Sequence, residues 1–117
     1  MQKELGSRGF QAIEAAINEN PDVPGFIRAF KPAFPVGVVY YMTALDFMAI
    51  PPVVRTYVPW MAFVDRAGMV VAQHTGNDSE YFTDDLAKQT ANIRADIEKL
   101  LAPAKPPSAR KSPPQRR

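Results

Sequence analysis

Residues 56–70 read TYVPWMAFVDRAGMV. An apolar run from Trp60 to Val64 leads into Asp65-Arg66-Ala67-Gly68, and a second apolar run begins at Met69. Gly68 stands where a tight turn wants a positive φ, so the spacing predicts a β-hairpin, with one strand over 60–65 and its return over 69–76. Side chains alternate along a strand, which places Met69, Val71 and Gln73 on one face and Val70, Ala72 and His74 on the other. Pro59 is the anomaly. Proline has no backbone donor and is confined to edge strands, first residues and bulges, yet here it introduces the most hydrophobic strand of the chain.

Outward from the hairpin, the apolar residues switch to helical spacing. After the polar GNDSE, a stripe of Phe82, Leu86, Ile93, Ile97, Leu100 and Leu101 predicts a helix of about five turns. Thr83, Asp84 and Asp85 suit its start, Lys99 its last turn, and Pro103 its end. On the N-terminal side, TALDFMAIPP allows one or two helical turns stopped by Pro51 and Pro52, and FPVGVVYY reads as a short strand weakened by Gly37. DVPGFIRAFKP reads as a short helix capped by Asp22, with Pro24 in its first turn and Pro32 closing it. GFQAIEAAIN alternates imperfectly, and its alanines also suit a helix. Gly9 before it and Asn-Glu-Asn-Pro after it favour a buried strand over 9–17. MQKELG resembles the end of a helix with Gly6 as its C-terminal cap. No internal repeat is visible.

The resulting order is helix end, strand, helix, strand, short helix, hairpin, helix. Strands separated by helices need parallel crossovers, and the hairpin adds an antiparallel pair, so the fold class is α/β with a mixed sheet flanked by helices.

The 117 residues suffice for one domain, and their 46% hydrophobic content is that of a globular chain. No stretch is long and apolar enough for a membrane span, and MQKELGSRGF holds no apolar core of a signal peptide, so the residues assign no compartment. The formal charge of +2 is uneven. Lys105, Arg110, Lys111, Arg116 and Arg117 lie in an acid-free terminus, which leaves nine basic against twelve acidic residues in 1–101, a net −3. The division expected is a domain over 1–101 and a disordered, basic, proline-rich tail over 102–117. Such a tail can touch nucleic acid or anionic surfaces, but a solvated terminus is the expectation. No glycine pattern suits a nucleotide, and no cofactor is expected. The chain has no cysteine, which excludes disulfides, zinc–thiolate sites and thiol catalysis.

Three passages carry a resemblance to a known family. GFQAIEAAINEN, VPGFIRAFKPAFPVGVV and VPWMAFVDRAGMVVAQHTGND occur in the order seen in the thioredoxin-like fold. They are most similar to the TlpA-like thiol–disulfide oxidoreductases and the redoxin group (alkyl hydroperoxide reductase/thiol-specific antioxidant), over roughly residues 7–101. The resemblance implies a cis bond at Val58-Pro59, where an X-Pro bond is otherwise cis in only about 5–6% of cases; a trans proline shaping a loop is the alternative. It also implies that Tyr57, Val58, Pro59 and Trp60 face a substrate, the backbone before the proline pairing with an extended segment as an added strand. The family's Cys-x-x-Cys, at the start of the first long helix after a central strand, has no counterpart here. No catalytic residue carries over, because the chemistry needs a thiolate. The expectation is a truncated or shortened, redox-inactive member whose thioredoxin-like sheet lacks its first strand and most of its first helix. The alternative is a non-catalytic module that holds a peptide or partner at the Val58-Pro59 loop. An incomplete sheet would expose apolar faces or an unpaired edge, so self-association or marginal stability is expected.

Other candidates are weaker. His74, the only histidine, has Asp78, Glu80, Asp84 and Asp85 nearby, which could suggest a metal site, but a solvent-facing strand end followed by helix-capping acids is the expectation. Trp60 and Met61 could flank a groove, but a place in the core is the expectation, because they open the most apolar strand. Tyr40, Tyr41 and Tyr57 could form an aromatic surface, but half-buried packing is the expectation.

Overall fold

In the computed structural model, which describes residues 1–102, the hairpin forms as the sequence predicts. Strands β1 (Glu14–Ala16) and β2 (Val36–Val38) precede it, and the hairpin itself is β3 (Met61–Val64) and β4 (Val70–His74). Its antiparallel register pairs Met61 with His74, Ala62 with Gln73 and Phe63 with Ala72, then slips before Val64 meets Val70. The turn is held by Asp65, whose carboxylate accepts from the N–H groups of Ala67 and Met69, both at 2.9 Å. Gly68 closes it with φ 85°, a conformation that favours a residue without Cβ.

Four helices complete the order: α1 (Gln2–Leu5), α2 (Val23–Phe30), α3 (Tyr41–Phe47) and α4 (Leu86–Leu101). Asp85 caps α4, its carboxylate accepting from the N–H groups of Ala87 and Lys88 at 3.1 and 3.2 Å. Ala102 then leaves the helix in an extended conformation, as a residue before proline tends to. The inward stripe of α4 brings Ile97 against Leu5, Phe63 and Tyr81, the four buried residues of the core. Ile93, Leu100, Leu101, Phe82, Phe10 and Met61 pack around them. Leu86 lies off this stripe and is exposed. Two bidentate ion pairs, Glu4–Arg94 and Arg8–Glu98, fasten the N-terminal helical segment along α4.

The N-terminal elements differ in detail from the expectation. Gly6 does not end α1; it continues into a 3-10 turn over Gly6–Arg8, and Gly9, with φ 98°, makes the left-handed stop. The strand expected over 9–17 is cut to Glu14–Ala16. The cause is Gln2, whose amide donates to the Phe10 carbonyl and accepts from the Ala12 N–H, so those backbone groups are spent before a ladder can form. Helix α2 forms as read, with the Asp22 carboxylate accepting from the Gly25 N–H and Lys31 closing the helix in the left-handed region. In α3, Leu45 and the following Met48 are buried.

The strands do not join into one mixed sheet. β1 and β2 form a parallel pair, β3 and β4 a separate antiparallel pair, and among the described residues no strand links them. The mixed α/β composition is therefore present, but the single sheet is corrected to two half-sheets. The β1–α2–β2 unit has no buried side chain. Ile13, Ile27, Phe30 and Val38 all stand exposed there, whereas a parallel pair is ordinarily covered on both faces. Among the described residues no helix is long and apolar enough to cross a membrane. The basic tail, beyond Ala102, lies outside the described residues.

Candidate functional site

The segment before β3 is built from both sides. Its Val58-Pro59 peptide bond is cis, the form the resemblance implies. Across from it, β4 runs into the turn Thr75–Asp78, closed by a bond from the Asp78 N–H to the Thr75 carbonyl. Three hydrogen bonds from that turn hold the proline loop. The Gly76 N–H donates to the Tyr57 carbonyl at 2.6 Å, the Tyr57 N–H donates to the Asn77 side-chain oxygen at 2.9 Å, and the Asn77 amide donates to the Arg55 carbonyl at 3.3 Å. Gly76 is required by proximity: a Cβ there would strike the carbonyl oxygens of Tyr57 and Val58.

A fixed backbone here presents open side chains. Tyr57 and Val58 are 53% and 65% exposed, and Pro59 is exposed as well. The N–H and C=O of Val58 carry no hydrogen bond among the described residues. Trp60 turns inward and is half-buried, with its indole N–H shielded from water and without an acceptor. The Tyr41 ring lies 5.8 Å from the indole, tilted by 40°. Tyr40, Tyr41 and Tyr57 are all exposed rather than half-buried as expected, because α3 and the proline loop have little packed over them. Met61 takes the core side.

Beside this loop lies a second cluster that the sequence reading placed wrongly. His74 is not a solvent-facing strand end. It shares the inward face of β4 with Ala72, its side chain is 20% exposed, and its ring stacks on Tyr81 with centroids 3.5 Å apart. Nδ1 lies 3.2 Å from an Asp78 carboxylate oxygen and Nε2 lies 3.0 Å from one of Asp96. The Tyr81 hydroxyl donates to the same Asp96 oxygen at 2.7 Å. Of the acids expected near His74, only Asp78 reaches it; Asp85 caps α4 instead. Asp96 was missed, although it carries a signal. It stands three residues after Ile93 and four before Leu100, on the apolar stripe, where a carboxylate must find donors.

Burial pushes the Asp96 carboxyl up. The hydrogen bonds from Tyr81 and His74, with the charges of His74 and Lys99, outweigh that and hold it below the usual range. Burial and then the Asp96 hydrogen bond push the Tyr81 phenol well up. Ionised carboxylates only accept, so both His74 contacts are hydrogen bonds only when both ring nitrogens carry hydrogen. Among the described residues, no group of three or more His, Cys, Asp or Glu side chains could hold a metal ion.

The chain matches no protein-family model, no curated protein and no solved structure. The family likeness therefore rests on the three sequence passages alone.

Proposed function

We propose that this chain is a cysteine-free, thioredoxin-like protein of the TlpA/redoxin kind, and that it acts as a non-catalytic binding module. Its site is the Tyr57–Trp60 loop, and its ligand is an extended peptide or partner segment. The observation that carries the proposal is the construction of that loop. Its backbone is fixed by the Thr75–Asn77 turn, while Tyr57, Val58 and Pro59 stay open and the Val58 amide and carbonyl stay unpaired. A rigid stretch of unpaired backbone flanked by aromatic side chains suits strand addition, in which main-chain bonds give affinity and alternate side chains give selectivity. Fixing the backbone beforehand also lowers the ordering cost of binding.

The finer reading of the fold is a thioredoxin-like sheet lacking its first strand, of which the parallel β1–β2 pair and the β3–β4 hairpin would be the parts present. The missing dithiol is a matter of composition, since the chain has no cysteine with which to cycle between oxidised and reduced forms.

The test is a titration of isotope-labelled protein with a short, lysine-ended peptide of alternating threonine and valine, followed in proton–nitrogen correlation spectra. Shifts concentrated on the amides of Tyr57, Val58 and Trp60 are expected, with the Trp60 indole N–H responding alongside. No shift at millimolar peptide, or shifts centred elsewhere, would overturn the reading. Insulin reduction by the pure chain would refute the redox-inactive part separately.

A further inference from the structure

The His74 cluster touches the proline loop through a single turn of backbone. His74 is the last residue of β4, and Asp78, which its Nδ1 contacts, closes the same turn. Every hydrogen bond that fixes Arg55 and Tyr57 comes from Gly76 or Asn77, between those two residues. The His74–Asp78 contact thus spans the ends of the element that holds the loop.

The two carboxylates facing His74 are unequal. Asp96 belongs to α4, is 8% exposed and also serves the Tyr81 hydroxyl, with the Lys99 ammonium 3.6 Å from its other oxygen. Asp78 belongs to the turn, and its side chain is 43% exposed. From β3 and the segment before α4, Phe63 and Phe82 meet the ring edge-to-face and Tyr81 stacks on it, and none of the three brings a charge. When the ring loses one proton, one nitrogen becomes an acceptor facing an acceptor. Water can replace the lost donor at Asp78 far more easily than at Asp96, where an unmet carboxylate would be buried. The remaining hydrogen therefore stays on Nε2, and the contact to Asp78 is the one released.

We propose that His74 is a proton-operated latch on the Tyr57–Trp60 loop. Doubly protonated, it clamps the Thr75–Asp78 turn and holds the loop ready for an extended segment; singly protonated, it releases Asp78 and lets the turn and loop loosen. The latch is a property of the turn, whereas its role in ligand capture rests on the docking reading above.

Full-length labelled protein, titrated across the pH range in which the His74 ring protons move, tests the latch without any ligand. The Gly76 and Tyr57 amides should move with the same midpoint as the His74 ring protons. H74Q should flatten that response. D78N, which keeps an acceptor for the Tyr81 N–H and changes only an exposed group, should leave the His74 titration visible but uncouple the two amides from it. Amides that stay still while His74 titrates, or that respond unchanged in D78N, overturn the latch. A second arm measures the threonine–valine peptide on either side of the midpoint. A charge-assisted hydrogen bond is worth enough to predict about tenfold tighter binding on the acid side. Equal affinity on both sides overturns control of capture, and binding on neither side overturns the docking reading, while the amide titration decides the latch by itself.

Discussion

Replacing Asp96 with alanine removes the acceptor of two donors at once, one buried and one partly buried. The Tyr81 hydroxyl, at 2.7 Å, and His74 Nε2, at 3.0 Å, share one carboxylate oxygen. Hydrogen bonds to a charged group contribute roughly 1.5–3 kcal/mol each, and a buried donor left without an acceptor carries its desolvation cost. Two observations reduce the sum. His74 is partly open, so water can reach its released N–H, and the Lys99 contact involves an ammonium 77% exposed, which adds close to nothing. The expected loss near pH 6 is about 3 kcal/mol, a large share of the stability of a small domain. Urea denaturation followed by far-ultraviolet circular dichroism measures it, and D96N serves as the milder variant because it keeps an oxygen for Tyr81 while losing the charge. Since both donors meet at one oxygen, D96A and Y81F should be strongly non-additive. A loss below about 1 kcal/mol, or additive losses in the double mutant, would refute the account of the cluster as a shared-acceptor network.

Three further outcomes follow from other parts of the molecule. G76A should destabilise the chain and displace the Tyr57 amide resonance, because its Cβ would strike the Tyr57 and Val58 carbonyls; an unshifted Tyr57 signal would count against the turn–loop connection. I97A should cost about 2–5 kcal/mol in a urea melt, since Ile97 is 2% exposed at the centre of the only core cluster among the described residues. Lowering the pH should destabilise the fold. Asp96, Glu4 and Glu98 have carboxyls held below their ordinary values, so their contribution is present above about pH 4 to 4.5 and disappears as pH falls through the depressed values. A melting temperature that stays flat on acidification below pH 4 would contradict this.

The sequence made local features legible. The Asp65–Gly68 turn, the Asp22 and Asp85 caps and, apart from the exposed Leu86, the α4 stripe each depend on residues within a few positions of one another, and each formed as read. Sheet pairing depends on residues far apart. Nothing within residues 9–17 or 60–74 reveals that the parallel and antiparallel pairs stay separate. The long strand expected over 9–17 failed for a similar reason, because Gln2, eight to ten residues upstream, takes its first backbone groups. The acids close to His74 in sequence are Asp78, Glu80, Asp84 and Asp85, whereas the partner of its Nε2, Asp96, lies 22 positions away on α4. The course of the proline loop was legible, since Tyr57, Val58, Pro59 and Trp60 are contiguous and proline constrains them; its tethers to Gly76 and Asn77 needed the structure.

The clasp between the chain's N-terminal segment and α4 bears on the order of folding. Glu4–Arg94 and Arg8–Glu98 each join residues 90 positions apart. Closing a loop of that length costs roughly 4 kcal/mol by (3/2)RT ln n, whereas an exposed ion pair returns at most about 1 kcal/mol. The pairs cannot draw the ends together, and most of the closure must come from burying Leu5 against Phe63 and Ile97. That surface exists only after the hairpin and α4 have met, a step requiring much shorter loops. The N-terminal segment should therefore dock late, so that truncating Leu5 to alanine speeds unfolding and leaves the folding rate nearly unchanged. In kinetic terms the clasp is a bolt on a closed door, setting how long the folded state lasts more than how quickly it is reached.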